Sequence, residues 1–352
     1  MRCKFIVSFA PIATHFFSMD YPAVSKLLAT PRRIVITTHR SPDGDAIGSS
    51  LGLYHYLVKG GHQVQVVTPN NYPKFLQWLP GNDTVTEYES NSEVAAKMVG
   101  DAEIVFCLDY NALHRTDKLG PVIGASTALK VLIDHHQQPD DFPDFSLSDT
   151  SASSTAQLIY DFIEGLGGLD LVDKNVAECL YTGLLTDTGS FRFPSTSPRT
   201  HEIVAGLMRK GLEVDQVYNR IFDTNSLNKL QLLGYSLSEK LTVYKEYNTA
   251  IIGLSYKELQ RFNFQKGDTE GLVNYGLSIE GVVFAVLVQE VKGLVKMSLR
   301  SKGDFDVNQM ARAHFNGGGH KNAAGGLSDV SFDKTLEKLA ALLPQYKEAL
   351  QG

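Results

Sequence analysis

Between residues 33 and 134 four short runs are rich in aliphatic and β-branched side chains: RIVITT (Arg33–Thr38), QVQVVT (Gln63–Thr68), EIVFCLD (103–109) and LKVLID (Leu129–Asp134). RIVITT is a continuous β-branched run, as expected of a strand buried on both faces, and the other three read as further strands. A helical stretch at 46–59 follows the first run and closes on Gly60-Gly61; further helical patterns fill 154–164, 174–185 and 198–210. Buried strands alternating with helices predict a parallel sheet with helices on both faces. In such sheets ligands bind outside the carboxyl ends of the strands.

After about Asp215 the pattern changes. One connecting helix is expected at 225–240, followed by strands at 249–254, 282–291 and 294–299, the last two joined by a Lys292-Gly293 turn. A final helix is expected at 331–350. The 352 residues thus divide into two domains of ordinary size. The fold class is α/β: a parallel-sheet domain at 19–214, a helical linker at 215–240, and a smaller α+β mixed-sheet domain at 241–352. Residues 1–18 carry a short apolar stretch broken by Pro11, with no clear cleavage site. They read as an N-terminal extension, or a translated leader ahead of a start at Met19.

Lysine and arginine number 33 against 39 aspartates and glutamates, a net charge of −6. That excludes a binder of nucleic acid over its whole surface, but not a polyanionic substrate held by metal ions or a local basic patch. Cys3, Cys107 and Cys179 lie far apart with no CxxC pair, so neither a disulfide framework nor a thiolate zinc site is expected, and a cytoplasmic setting fits. No apolar run approaches the ~20 residues of a membrane span.

The acids and histidines fall at strand ends. The first run passes into THRSPDGDAIG, with His39, Asp43 and Asp45. The third ends in Asp109, the fourth in Asp134-His135-His136, and the helix at 174–185 runs into TDTG with Asp187. Singly, most have a plain structural explanation: Asp-Gly-Asp as a turn and helix cap, Asp109 and Asp187 as end-of-element acids; the adjacent His135-His136 after a buried strand have no packing rationale. Together at one sheet edge they would repel one another unless cations were present. Carboxylates and imidazoles without thiolates suit manganese first, with magnesium, cobalt or zinc as the other choices. Two such ions need a bridging carboxylate, and Asp109 stands alone on a middle strand where it could serve. A bridging hydroxide between two ions would then attack phosphorus.

The segments HRSPDGD, LDYNALHR, LIDHHQQP and LLTDTG resemble, in order, the four motifs of the DHH phosphoesterase superfamily. Residues 297–326, MSLRSKGDFDVNQMARAHFNGGGHKNAAGG, resemble its DHH-associated C-terminal domain. By size and layout the chain is most similar to the bacterial oligoribonuclease and 3′-phosphoadenosine 5′-phosphate phosphatases. The resemblance implies that His39, Asp43 and Asp109 hold one metal, and Asp45, Asp109, His135 and Asp187 a second. It implies that Asp134 orients the histidine loop and that His136 faces the substrate. It also implies that Arg300 and Gly317, Gly318, Gly319 and His320 grip the nucleotide, with Asn316 standing where a further glycine is expected.

The bare residues around 316–326 could be a flexible loop, but glycines beside His320 and Lys321 would also let backbone N–H groups approach a phosphate. From Val291 to Lys321 there are six basic residues against two acidic ones, which favours an anion. Arg192 is a weaker phosphate-binding candidate. The expected partner is short RNA or a nucleotide, with no membrane, and a homodimer is compatible. The competing functions are a family II-like inorganic pyrophosphatase and a nucleotide-binding regulatory module without turnover.

Overall fold

The structure is a computed structural model that describes residues 19–351. The expected extension 1–18, with Cys3, lies outside the described residues. Strands β1 (Arg33–Thr38), β2 (Gln63–Thr68), β3 (Val85–Glu87), β4 (Ile104–Leu108), β5 (Leu129–Asp134) and β6 (Phe145–Ser148) form one sheet in the order β3-β2-β1-β4-β5-β6. All its pairings are parallel. Side chains alternate between two cores. Ile34, Ile36, Phe106 and Ile133 pack under the helices Gly44–Lys59, Thr155–Gly165 and Lys174–Asp187. Val35, Val105, Cys107 and Leu132 face the helices Ser92–Asp101 and Gly120–Ala125 on the other side. Phe106 is fully buried, and Phe106→Ala would cost about 3–5 kcal/mol.

The second lobe is a mixed sheet of β7 (Leu241–Tyr244), β8 (Thr249–Leu254), β9 (Phe284–Val291), β10 (Leu294–Ser301), β11 (Gly318–His320) and β12 (Ala323–Ser328), in the order β11-β12-β10-β9-β8-β7. Only β8–β9 is parallel. Lys292 (φ 50°) and Gly293 (φ 78°) make the expected β9–β10 turn. Among the described residues no helix is long and apolar enough to cross a membrane.

The structure corrects several elements. The first long helix begins at Gly44 rather than 46, because Asp43 caps it, accepting the N–H groups of Asp45 and Ala46 at 3.1 Å each. Asp45 is therefore a first-turn helical residue. The helix expected at 225–240 is Leu227–Tyr235, opened by the Ser226 hydroxyl, which accepts the Lys229 N–H at 3.1 Å; a further helix, Val214–Phe222, precedes it. A wider turn, Ser236–Lys240, ends it. The terminal helix stops at Leu342; a short 3₁₀ turn containing Pro344 precedes Lys347–Gln351, since proline supplies no N–H to continue a helix. Strands β3 and β6 were not expected. Both are short edge strands, half-buried along their length, without a continuous apolar run.

Candidate active site

His39, Asp43, Asp109, His135 and His136 come from loops at the carboxyl ends of β1, β4 and β5, inner strands of the parallel sheet. His39 Nε2 lies 3.3 Å from Asp109 Oδ2 and 3.9 Å from Asp43 Oδ1. Its Nδ1 hydrogen bonds to the Arg40 carbonyl at 2.9 Å, which fixes the ring and leaves Nε2 as the free lone pair. His135 does the same on the other side. Its Nδ1 meets the Ala152 carbonyl at 3.3 Å, and its Nε2 lies 3.6 Å from Asp109 Oδ1, 3.8 Å from Asp45 Oδ2 and 3.5 Å from Asp187 Oδ2. Asp109 thus stands between two groups, His39/Asp43 and Asp45/His135/Asp187. In each of the sets His39/Asp43/Asp109 and Asp45/His135/Asp187 the ligand atoms lie within 4.8 Å of one another.

Asp109 sits one residue past β4 with φ 64°, in the left-handed region, and its N–H donates to the Ile133 carbonyl at 3.2 Å. This turn points a carboxylate inward from a strand end that would otherwise place it on one face of the sheet. Asp187 is the last residue of the helix Lys174–Asp187, which crosses Gly44–Lys59 at close range. A Cβ on Gly183 would fall 2.6 Å from the Ala156 Cβ and 2.7 Å from Asp45 Oδ1. Glycine there lets three helices bring Asp45 and Asp187 to one point.

Asp134 Oδ1 accepts the His136 Nδ1–H at 2.7 Å, and Asp134 is fully buried. The His136 ring stacks on His320, which arrives from the second lobe with centroids 4.4 Å apart; His320 is 4.7 Å from His135.

The electrostatics favour a cation. Burial, then Asp109, Asp187 and Asp43, push the Asp45 carboxyl well above its usual range. Asp187 is pushed up to about 7, chiefly by burial. Burial opposes the charge on Asp109 too, but His39 and the paired histidines outweigh it and hold its carboxyl low. Burial would lower His39 and His135, yet the surrounding carboxylates raise both. Burial lowers His136 despite Asp134, and lowers His320 to about 2 with help from its two histidine neighbours. A donor set of carboxylates and imidazoles, in which burial and mutual repulsion raise two of the acids above their usual range, fits divalent metal.

The second lobe's expected residues are placed less uniformly. Arg300 on β10 is half-buried, donates Nη1 to the Leu299 carbonyl at 3.0 Å, and lies in the field of Asp187, Glu270 and Asp43. The glycine cluster is a paired hairpin rather than a loop: Gly318 lies opposite Gly325 and His320 opposite Ala323. A Cβ on Gly317 would fall 2.1 Å from the Gly325 carbonyl oxygen, so the glycine serves strand approach. The Gly319 N–H donates to Asn308 Oδ1 at 3.0 Å. Asn316 needs no glycine, because it exchanges backbone hydrogen bonds with Leu327 at 3.1 and 3.3 Å. Lys321 turns to Asp304, 2.7 Å away on the surface. Arg192 is exposed and donates Nε to the Gly189 carbonyl at 2.8 Å; among the described residues no ion pair joins it to the cluster.

Three residues near the site carried no sequence expectation. Arg115, within the quoted segment LDYNALHR, places positive charge against His39, His136 and His320. Glu270 lies in the fields of Asp43, which raises its carboxyl, and of Arg300, which lowers it. Thr155 opens a helix and bonds to two of the carboxylates. A Ser-Ser-Thr run before an apolar helix signals a cap, and only the fold shows what else it reaches.

A parallel sheet whose central strands end in clustered carboxylates and imidazoles defines a phosphoesterase of the DHH class. The chain belongs to that family: residues 33–184 match the DHH family, N-terminal domain, and residues 249–351 the DHHA1 domain. It is 32% identical over 315 residues to the bifunctional oligoribonuclease and PAP phosphatase NrnA of Thermus thermophilus, covering 89% of this chain and 90% of that protein. It is 30% identical over 319 residues to the protein of the same name from Bacillus subtilis, covering 90% and 95%. A crystal structure of an exopolyphosphatase-related protein from Bacteroides fragilis superposes with a TM-score of 0.90 at 40% identity, over 94% of this chain and 97% of that one.

Proposed function

We propose that the chain hydrolyses phosphodiester and phosphate-monoester bonds in small ribonucleotide substrates: short oligoribonucleotides and linear dinucleotides to mononucleotides, and 3′-phosphoadenosine 5′-phosphate to AMP. The observation that carries the reading is the placement of Asp109 between two ligand groups. His39, Asp43 and Asp109 hold one divalent cation, and Asp45, Asp109, His135 and Asp187 a second, with manganese the first choice over magnesium, cobalt or zinc. Such ions supply charge stabilisation at phosphoryl oxygens and lower the pKa of water. The NrnA names of the full-length relatives support the substrate class.

The remaining side chains divide the work. Asp134 holds the Nδ1–H of His136 and so aims Nε2 at the cleft. Burial disfavours charge on His136 despite Asp134; the negative charge of a bound phosphate favours uptake of a proton from solvent on Nε2, which binds a phosphate oxygen or is passed to the leaving oxygen. His320 stacks on His136 from the second lobe and, with Arg300, grips the nucleotide between the lobes. Closure by a second lobe favours short substrates over long strands.

The test is release of mononucleotides from a labelled RNA dinucleotide in the presence of manganese. Turnover there, exceeding turnover of inorganic pyrophosphate, is the expected result. No turnover with full metal loading refutes the substrate assignment, and tight nucleotide binding without product would mark a regulatory module.

A further inference from the structure

Asp109 has a fixed backbone and a carboxylate with few fixed contacts. Its neighbours His39, His135 and His136 are imidazoles at 3.3, 3.6 and 3.7 Å, and none of these approaches is a short hydrogen bond. Two of those imidazoles are ligands in the reading above, and a ligand nitrogen cannot also hold the carboxylate. One hydroxyl does hold it: Thr155 Oγ1 lies 3.0 Å from Asp109 Oδ1. An ionised carboxylate only accepts, so the threonine donates.

The same residue fixes Asp45. The Thr155 N–H donates to Asp45 Oδ2 at 2.6 Å and the Ala156 N–H to Oδ1 at 2.9 Å. Both are first-turn amides of the helix Thr155–Gly165, groups that lack an intrahelical partner and favour negative charge. Thr155 itself is fully buried and anchored from behind. Ser154 caps the helix through the Gln157 N–H at 3.1 Å, and Gln157 Oε1 accepts from the Ser153 N–H at 3.1 Å and the Ser153 hydroxyl at 2.8 Å.

We propose that Thr155 is a positioning residue: by bonding Asp45 through its amide and Asp109 through its hydroxyl, it sets the orientation of the shared carboxylate and thereby the geometry of the Asp45/His135/Asp187 cation position. The inference rests on the two-cation reading above. It predicts an asymmetric effect. Asp109 Oδ1, the atom Thr155 holds, faces His135, whereas Oδ2 faces His39. Losing the hydroxyl therefore weakens the position beside His135 and spares the one beside His39. Outer contacts of this kind are worth about 10–100-fold in metal affinity.

The experiment is a manganese titration of the full chain by calorimetry and electron paramagnetic resonance, comparing wild type, Thr155→Val and Thr155→Ser, with thermal melts of the metal-free proteins as a folding check. Valine keeps the shape and the amide but removes the donor; serine restores it. The expected result is a coupled two-ion signal in wild type and Thr155→Ser. In Thr155→Val the first ion binds as in wild type, the second about 10–100-fold more weakly, and the spectrum becomes that of an isolated ion. Accompanying kinetics show a lower kcat and an unchanged KM. A Thr155→Val protein that binds both ions as wild type does, or loses both equally, overturns the inference. A wild type that never takes two ions overturns instead the reading on which it rests.

Discussion

In the first lobe the polar side chains leave the backbone at strand and helix ends, and most have a second atom held from behind; in the second lobe they come from a strand and a hairpin, and most are held by their own lobe. His39 and His135 each give Nδ1 to a carbonyl, and Asp43 and Asp45 each accept two backbone N–H groups. Across the cleft, Arg300 bonds to Leu299, Gly319 to Asn308, and Lys321 to Asp304; His320 alone of the expected residues stacks on the opposite lobe. The first arrangement is pre-organised before any ligand arrives, which suits the proposed sharing of cations. The second leaves side chains to adapt, which suits gripping substrates that differ in length.

That contrast can be broken most directly at Asp109. Asp109→Asn is expected to lower kcat by about 10³-fold or more and to empty metal from the protein, read by steady-state kinetics with metal analysis. A variant that keeps both ions and most of its turnover would remove the shared carboxylate from its central place. His136→Ala comes next, with a loss of about 10²–10⁴-fold in kcat at unchanged manganese stoichiometry.

Protonation sharpens the picture of the first lobe. With Asp187 held up to about 7, its proton must leave before a cation can bind. Manganese affinity should therefore rise with pH from 6 to 8, about tenfold for this one group, with proton release on binding, measured by calorimetry in buffers of different ionisation enthalpy. An affinity flat over that range would contradict it. For the second lobe, His320→Ala should raise KM about tenfold and leave kcat within a few-fold if, as proposed, the residue grips rather than reacts. Lys321→Ala should shift binding by no more than about 0.5 kcal/mol, because its charge is spent on an exposed partner; a large effect would show that the hairpin rearranges around substrate.

The strands β1, β4 and β5 were legible because burial on two faces over most of their length leaves an aliphatic signature, and β2 because its valines recur through a buried second half. The edge strands β3 and β6 were not, since half-buried residues at an edge carry no such constraint. His39, Asp43, Asp45, Asp109, His135 and Asp187 could be read as one set because each lies at the end of a recognisable element, and a parallel sheet gathers its strand ends on one side. The Asp-Gly-Asp turn satisfied both readings at once: Asp43 caps a helix and also approaches His39.

What the sequence determined by itself was the order of these elements and the chemistry at their ends, because hydrophobic period and residue type are local properties. Only the tertiary structure decided which neighbours those ends would meet. Thr155 reaches Asp45 and Asp109 across 110 and 46 residues of chain, and of two adjacent hairpin side chains His320 crosses to His136 while Lys321 stays with Asp304. Contacts between distant segments are fixed by how helices and sheets pack, and by which side of a strand each residue faces once its partners are in place.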